Sequence, residues 1–441
     1  MEEDLGMAGG RQAGEGADVE QRGTGLPGEF RLLVTAYAVT SYGSYLNMIA
    51  LNLFVYELTG SAFGMGLFLA LRLACGAAAG LVAGPLVARV SRKRIMLWSN
   101  VAPAATLVLL VLVPPAGRTA VLLLNAVVTG GGTTLFLVAL RSAVPDMVGM
   151  DRRDRANSLT VIARSLAMVV GFASAGLVVA WRGYPATFLI DAASFAICAA
   201  AVASLSLTGS AAHESPATPG GGRPGRTRAT LGTLLVLMIG LRTMDALGSS
   251  SHNSALPVYS ALIDRADPAG FVSRFLTCWA VGNIVVQQGI RLRAKSRGRT
   301  IGAFGFALGT VLMSTAFILG FAGLPTVITM AIAVGAGCAD GLTEVSYANY
   351  LQTLPGTRRD RVFGLSATAE NLGFGTGMLA TSFLLDRLSP FAVVAASHGV
   401  TAVIGLLFCI GLWRHARRTG RAGHVGTSGR DHRDVTEVPG G

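Results

Sequence analysis

The chain has little charge for its length. Only 14% of its 441 residues are charged, whereas 51% are hydrophobic, and the mean hydropathy is +0.55. Water-soluble domains carry far more charge, so the composition excludes that class. A spanning helix needs roughly 20 mostly apolar residues, and the chain has room for about twelve of them with short connections. We therefore predict an all-α integral membrane protein.

Acidic residues are scarcer than basic ones. The chain has 24 Asp and Glu against 36 Lys and Arg, a formal net charge of +12. A basic balance can indicate nucleic-acid binding, but here the basic residues lie in short loops between apolar stretches and form no basic helix face. We predict that the chain is surrounded by a lipid bilayer and that it has no nucleic-acid partner.

The motifs of enzymes, ATPases and metal sites are missing. The five cysteines lie far apart inside apolar stretches, and no His, Cys and Asp residues have metal-ligand spacing. There is no Gly-x-x-x-x-Gly-Lys-Ser/Thr phosphate loop and no Ser–His–acid arrangement in a soluble context. We predict a protein that is not an enzyme and that uses neither ATP, nor a cofactor, nor a bound metal.

Twelve apolar stretches are long enough to cross a bilayer. Their predicted bounds are 30–56, 61–87, 95–113, 119–141, 158–181, 184–207, 231–262, 269–290, 300–321, 324–351, 362–385 and 391–413. They form an N-terminal six-helix bundle over 30–207 and a C-terminal one over 231–413, joined by a Gly/Pro/Ser/Arg-rich linker at 208–230. Residues 1–29, expected to be disordered, and 414–441 are predicted tails. Span 7 is expected to break at Pro257.

Basic residues alternate from loop to loop. The loops after spans 2, 4, 8 and 10 and the linker hold three or more Arg or Lys each, whereas each opposite loop holds at most one. Short cytoplasmic loops are enriched in Lys and Arg, so these loops, the linker and both termini are predicted to be cytoplasmic.

The two halves of the chain are similar to each other. The block Arg-Arg-Asp-Arg occurs at 152–155 and again, 206 residues later, at 358–361. Aligning the blocks pairs Leu159 with Leu365 and Gly171 with Gly377. A parallel repeat of six spans is a known transporter design, with the binding cavity near the membrane midplane. Chance similarity between Ala/Leu/Gly-rich helices is the alternative.

Several short motifs carry a resemblance to a known family. They are Leu58-Thr59-Gly60-Ser61 after span 1, the basic run Arg89–Arg94 after span 2, Val144-Pro145-Asp146 and Arg155–Leu159 before span 5, and Arg361–Gly364 before span 11. In these motifs the chain resembles the major facilitator superfamily, and more narrowly its exporter branch of the enterobactin-exporter and macrolide-efflux types. The resemblance implies two pseudo-symmetric six-helix bundles, alternating access and a place in the bacterial cytoplasmic membrane.

The resemblance also implies an inner gate, whose candidate residues are Arg89, Arg92, Lys93 and Arg141. The family's loop after span 2 carries an acid that pairs with the basic residue at the end of span 4, and Ala88 stands at that position here. Asp146 and Asp151 are candidates to replace it. Ser44 stands where the first span of the family often carries an acid.

Ionisable residues inside spans are costly to bury and therefore mark candidate sites. Arg242 and Asp245 lie three residues apart in span 7 and so share a helix face. Either Asp245 carries a proton or contacts substrate, or the two form a neutral pair that only lowers the cost of insertion.

Asp340 and Glu344 lie four residues apart in span 10. Two acids on one helix face repel each other unless one is protonated or a cation lies near. We interpret Asp340 as a proton site or as a contact for a cationic substrate, and Glu344, nearer the inner surface, as a partner for an arginine of the gate.

Arg72, Arg164 and Glu370 form a third group of charges within spans. The family fold places span 2 near span 11, so Arg72 and Glu370 are candidates for a gating pair or for a static structural pair. Arg164 aligns with Glu370 across the repeat and has no obvious acidic partner in the sequence, so we expect it to face the cavity.

A stripe of polar and aromatic residues follows span 1. Its members recur at helical spacing: Tyr37, Ser41, Tyr45, Met48 and Asn52. Such a face suits an amphipathic ligand, and ordinary helix packing is the alternative. His252 and His398 are each expected to be hydrogen-bonded within the protein, and titration at physiological pH is the alternative.

The function that these observations and the resemblance favour is secondary active transport. We predict proton-coupled efflux of a hydrophobic or amphipathic small molecule, such as a drug, an antibiotic or a siderophore-like natural product. An importer or a uniporter of a small organic solute, and a non-transporting membrane sensor, are the alternatives.

Overall fold

A computed structural model describes residues 26–206, 232–297, 302–354 and 356–425 of the chain. The described residues form eleven α-helices and two short 3₁₀ turns, at Pro115–Gly117 and Met150–Arg152. The helices are α1 (Gly28–Thr59), α2 (Ala62–Arg89), α3 (Arg92–Leu112), α4 (Arg118–Val148), α5 (Arg153–Ser204), α6 (Thr233–Ile263), α7 (Pro268–Arg297), α8 (Ala303–Gly320), α9 (Thr326–Gln352), α10 (Gly356–Leu385) and α11 (Pro390–Val425). Most of the predicted tails and linker lies outside the described residues.

Helix α5 contains two of the predicted spans. Its 52 residues are interrupted at Gly183, whose backbone angles (φ 72°, ψ −179°) are not helical. A positive φ is readily adopted only by glycine, and Pro185 follows two residues later. The chain therefore turns between spans 5 and 6 where the sequence predicts it, and the eleven helices account for twelve spans.

Eight of the described helices are long and apolar enough to cross a membrane by length and hydropathy alone. The three remaining long helices, α1, α6 and α10, are more polar. They carry the Tyr37–Asn52 stripe, the Arg242–Asp245 pair and Glu370. Large apolar side chains such as Leu81, Val327 and Leu112 point outward and are 84%, 82% and 74% exposed, as expected for lipid-facing surfaces. The chain is a multi-pass membrane protein.

The chain divides into two compact units. The first contains α1–α5 together with Asp264–Thr277, and the second contains α6 and the residues from Cys278 onward. In the first unit α1 packs on α5, and α4 packs on α2 and α3. In the second unit α6 packs on α10 and α11, and α8 packs on α9 and α11. Each unit has its own apolar core, around Phe68, Leu107 and Phe188 in the first and around Met238, Phe306 and Leu351 in the second.

The predicted break at Pro257 is wrong. Helix α6 runs without interruption from Thr233 to Ile263, with Pro257 buried inside it. A proline removes one backbone hydrogen bond, and nearby serine hydroxyls often satisfy carbonyl groups around it in membrane helices. The carbonyl that loses its donor is that of Asn253, four residues before Pro257, whereas the hydroxyl of Ser260 donates to the carbonyl of Pro257 itself at 2.8 Å.

Candidate functional site

The second unit contains a cavity of about 180 Å³. Four acidic residues line it, Asp245, Asp340, Glu344 and Glu370, together with one basic residue, Arg242. Its other walls are aromatic (Trp279, Phe317 and Phe374) or polar and apolar (Ser249, His252, Asn253, Ala246 and Met313). All of these residues come from α6–α10, so the cavity is built within one unit.

Arg242 is the centre of the charged cluster. Its guanidinium donates to Asp245 Oδ2 on the same helix at 3.0 Å and to Glu370 Oε1 on α10 at 2.8 Å. The side chains of Arg242 and Asp245 are 14% and 4% exposed, whereas that of Glu370 is 39% exposed. The guanidinium also lies 5.8 Å from the ring centroid of Tyr347, within range of a cation–π contact. One cation thus links α6, α9 and α10.

Two atoms of this cluster are buried without a hydrogen-bond partner among the described residues. They are Arg242 Nε and Asp245 Oδ1. A buried carboxylate oxygen without a partner is costly, so such atoms in native proteins call for an explanation. Asp245 is also one of the residues that line the cavity.

The other two acids have amide partners from α7. Asn283 donates to Asp340 Oδ2 at 2.9 Å, and Gln287 donates to Glu344 Oε2 at 3.2 Å and to Asn283 Oδ1 at 2.6 Å. The arrangement depends on the close crossing of α7 and α9. A Cβ atom at Gly337 would lie 1.9 Å from the carbonyl oxygen of Trp279, so only glycine fits there. Among the described residues Glu344 thus accepts from a glutamine, and its pairing with an arginine of the gate stays a prediction.

A pair of histidines closes one side of the cavity. His252 Nδ1 lies 3.0 Å from His398 Nε2, and Phe317 stacks on the His252 ring with centroids 3.5 Å apart. His398 is fully buried and also contacts Ser314 Oγ at 3.3 Å. Each histidine is hydrogen-bonded within the protein, as expected. A bond between them could not be predicted from the sequence, because they are 146 residues apart.

The first unit contains a buried acid that the sequence analysis missed as a candidate. Asp191 on α5 is 2% exposed, accepts from Asn47 of α1 at 2.8 Å and interacts with Ser194 at 3.2 Å. Arg72 of α2 interacts with it electrostatically. Asp191 is the only acidic residue of span 6, so the rule that identified Asp245 applies to it equally.

A comparison with known sequences decides the family. Residues 33–289, more than half of the chain, match the family model of the Major Facilitator Superfamily. The chain belongs to the Major Facilitator Superfamily. No curated protein sequence matches it.

Solved structures of transporters share the fold of this superfamily member. The nucleoside transporter NupG is 14% identical, with a TM-score of 0.64 over 87% of this chain and 98% of that chain. The peptide transporter POT in complex with sulfate is 17% identical, with a TM-score of 0.66 over 90% and 95%. A POT family transporter in complex with 5-aminolevulinic acid is 13% identical, with a TM-score of 0.64 over 87% and 96%. At such identities the likeness shows the fold alone.

Two of the four gate candidates of this superfamily member have partners within the first unit. Arg92, the first residue of α3, forms an ion pair with Asp146. Asp146 was predicted as a possible partner of Arg141, and its partner here is Arg92 instead. Lys93 Nζ donates to the carbonyl of Leu205 at 2.7 Å. Arg89 and Arg141 are exposed. The Arg92–Asp146 pair holds the start of α3 against the end of α4.

The Arg72–Glu370 gating pair stays a prediction. In the structure Arg72 interacts with Asp191 inside the first unit, and Glu370 binds Arg242 inside the second. Each residue thus has a charged partner within its own unit.

The polar stripe of α1 divides into two parts. Tyr37 and Ser41 are 7% exposed, and Tyr37 stacks on Phe136 in the core of the first unit, as the packing interpretation expected. Tyr45 is half-buried and accepts from Arg164 Nε at 2.9 Å. Met48 and Asn52 are also partly exposed. Tyr45, Met48 and Asn52 remain candidates for substrate contact on this face, as does Arg164, which is bonded to Tyr45.

Proposed function

We propose that the protein is a proton-coupled secondary transporter that exports a hydrophobic or amphipathic small molecule, such as a drug, an antibiotic or a siderophore-like natural product. Membership of a transporter superfamily supports alternating access as the mode of transport. The observation that carries the coupling is the contact of Arg242 with both Asp245 and Glu370 in a cavity of the second unit.

The Arg242 cluster supplies a physical route from proton binding to motion. Asp245 lies on the same helix as Arg242, whereas Glu370 lies on α10. A proton on either carboxylate removes its charge and with it part of the attraction that holds the guanidinium. Protonation therefore changes how strongly α6 is bound to α10, and a ligand or proton that favours one arrangement shifts the population toward it.

The export direction rests on the resemblance of the loop motifs to the exporter branch. An importer or a uniporter without proton coupling is the second candidate. It is favoured by Ala88 and Ser44, which stand at two positions where the family commonly has acids. We further propose that the protein lies in the bacterial cytoplasmic membrane with both termini in the cytoplasm, since the Arg-rich loops all fall on one predicted side.

Accumulation of a compound panel in cells tests the proposal. We expect cells that express the gene to accumulate less of at least one hydrophobic or amphipathic compound than cells that carry the empty vector. A protonophore should abolish the difference. Higher accumulation in the expressing cells would support the importer, an effect insensitive to the protonophore would support the uniporter, and an unchanged panel would contradict transport of this substrate class.

A further inference from the structure

The charges that line the cavity of the second unit do not balance. Four carboxyl groups face one guanidinium, and the ion pairs that Arg242 forms among the described residues are with Asp245 and Glu370. Within the described residues the partners of Asp340 and Glu344 are the neutral amides of Asn283 and Gln287. An amide stabilises a carboxylate by a hydrogen bond but leaves its negative charge in place.

An independent observation points to a missing cationic partner. Asp245 is 3% exposed, and its Oδ1 has no hydrogen-bond partner among the described residues, although Arg242 holds Oδ2. A buried carboxylate oxygen is an acceptor only, so its natural complement is an N–H donor or a positive charge. Asp245 and Asp340 both line the cavity, so the unpartnered acceptor belongs to a residue that lines the same space as the unmatched charge.

The remaining walls suit an organic cation. Trp279 and Phe374 are partly exposed and line the cavity, and aromatic faces attract ammonium groups within about 6 Å. The described residues contain no group of three or more His, Cys, Asp or Glu placed to hold a metal ion. The aromatic surface and the absence of such a group favour an alkylammonium over a divalent metal.

The cavity also limits the size of the ligand. Its volume of about 180 Å³ is below the roughly 300–1,000 Å³ of sites for drug-sized molecules. In this conformation it accommodates a small cation or the charged end of a larger molecule.

We propose that the cavity binds a monovalent organic cation, a protonated or quaternary amine, whose charge is met by Asp245 and Asp340 and whose apolar part lies against Trp279. The proposal rests on the proposed function, in which the same cavity carries substrate and protons, and it names the substrate class. Protons and the cation then compete for the same carboxylates. The ionisable groups that face this space are Arg242, Asp245 and His252 of α6, Asp340 and Glu344 of α9, and Glu370 of α10, with His398 of α11 behind His252.

A matched pair of probes tests the charge requirement. The full chain is purified in detergent and titrated with 3-hydroxyphenyltrimethylammonium and with 3-tert-butylphenol, which has nearly the same shape and no charge. Binding is followed by calorimetry and by tryptophan fluorescence, in which Trp279→Phe should remove the ligand-dependent signal. We expect the cation to bind at least about tenfold more tightly than the neutral probe, and more weakly as the pH is lowered. Equal affinity for the two probes, or binding of neither, would overturn the proposal.

Variants locate the cation. Asp340→Asn should lower the affinity for the cation by about tenfold or more and leave that for the neutral probe unchanged, whereas Asp386→Asn, the same change outside the cavity, should alter neither. Should Asp340→Asn fail to fold, Asp340→Glu keeps the charge and should keep the preference for the cation. A preference that survives the loss of the Asp340 charge in a folded protein would overturn this assignment.

The test separates this proposal from the proposed function. Binding is measured without transport, so selective cation binding by a protein that moves no compound in cells contradicts the transport proposal alone. Transport of neutral compounds without selective cation binding contradicts this inference alone.

Discussion

The two units place different chemistry at equivalent positions. In the first unit Asn47 of α1 donates to Asp191 of α5, and in the second His252 of α6 bonds to His398 of α11. His252 follows Asn47 by 205 residues and His398 follows Asp191 by 207, close to the 206-residue spacing of the Arg-Arg-Asp-Arg blocks. The same crossing has therefore kept a buried polar pair in both halves, while the pair has changed from amide and carboxylate to two imidazoles.

The glycines at this crossing support the equivalence. A Cβ atom at Gly43 would lie 2.2 Å from Ser194 Oγ, and one at Gly248 would lie 3.1 Å from both His398 Nδ1 and Thr401 Oγ1. In each unit the first helix comes close to the last one through a glycine, next to a hydroxyl and the buried pair. The backbone geometry is shared between the units, and the ionisable groups are not.

The charged cluster has no counterpart in the first unit. At the repeat spacing, Arg242 corresponds to Ala36, Asp245 to Val39 and Glu370 to Arg164. The first unit holds its acid in a closed network with Asn47 and Ser194, whereas the second exposes four acids to a cavity. We infer that proton chemistry is concentrated in the second unit, whereas the first contributes Tyr45 and Arg164 as candidates for substrate contact.

The largest expected effect comes from removing the positive charge of Arg242 in the second unit. Arg242→Gln leaves Asp245 and Glu370 without their ion-pair partner, and breaking a buried pair from one side costs about 3–5 kcal/mol. Unfolding in detergent by a denaturant series measures the loss. Arg164→Gln in the first unit, which removes an exposed Arg bonded to a tyrosine hydroxyl, should cost less than about 1 kcal/mol. Equal losses for the two variants would contradict the assignment of the charge cluster to one unit.

The next effect concerns coupling. Asp245→Asn keeps the size of the side chain and removes the group that we expect to bind protons, so pH-driven flux in vesicles should fall by about 5–150-fold. Because the amide still hydrogen-bonds, the protein should remain folded and should still exchange substrate down its own gradient. Normal pH-driven flux in this variant would remove Asp245 from the coupling mechanism.

Local sequence explains why the spans were predictable. Whether a stretch crosses the membrane depends on some 20 consecutive residues, and a glycine followed by proline marks the turn at Gly183 within the same stretch. The Arg242–Asp245 contact could also be predicted, because residues three apart in a helix lie on the same face whatever the rest of the fold.

Contacts between distant helices were harder to predict. Glu370 reaches Arg242 across 128 residues, and the two histidines meet across 146. Both contacts depend on which face of α6 packs against α10 and α11. A single sequence does not show how α6 is rotated about its own axis. Asp191 was different, since its position as the only acid of its span was visible in the sequence.

A third test asks whether the acid of the first unit is structural. Asp191→Asn weakens the bond from Asn47, because a charged acceptor is replaced by a neutral one, and we expect a loss of about 1–3 kcal/mol in the free energy of unfolding. Flux driven by pH should persist after correction for the amount of folded protein. Loss of coupling with unchanged stability would show that the first unit shares the proton chemistry and would break the proposed division between the units.

The smallest expected effect separates the two buried pairs. A double-mutant cycle of His252→Ala and His398→Ala should give a coupling energy near 0.6 kcal/mol, the average for hydrogen bonds between membrane helices. The cycle of Asn47→Ala and Asp191→Ala should give a larger value, up to about 1.7 kcal/mol, because its acceptor is a carboxylate. Each cycle subtracts the cavity left by the alanines, so the difference reports on the bonds themselves. A larger coupling energy for the histidine pair than for the Asn47–Asp191 pair would contradict this ranking of the two bonds.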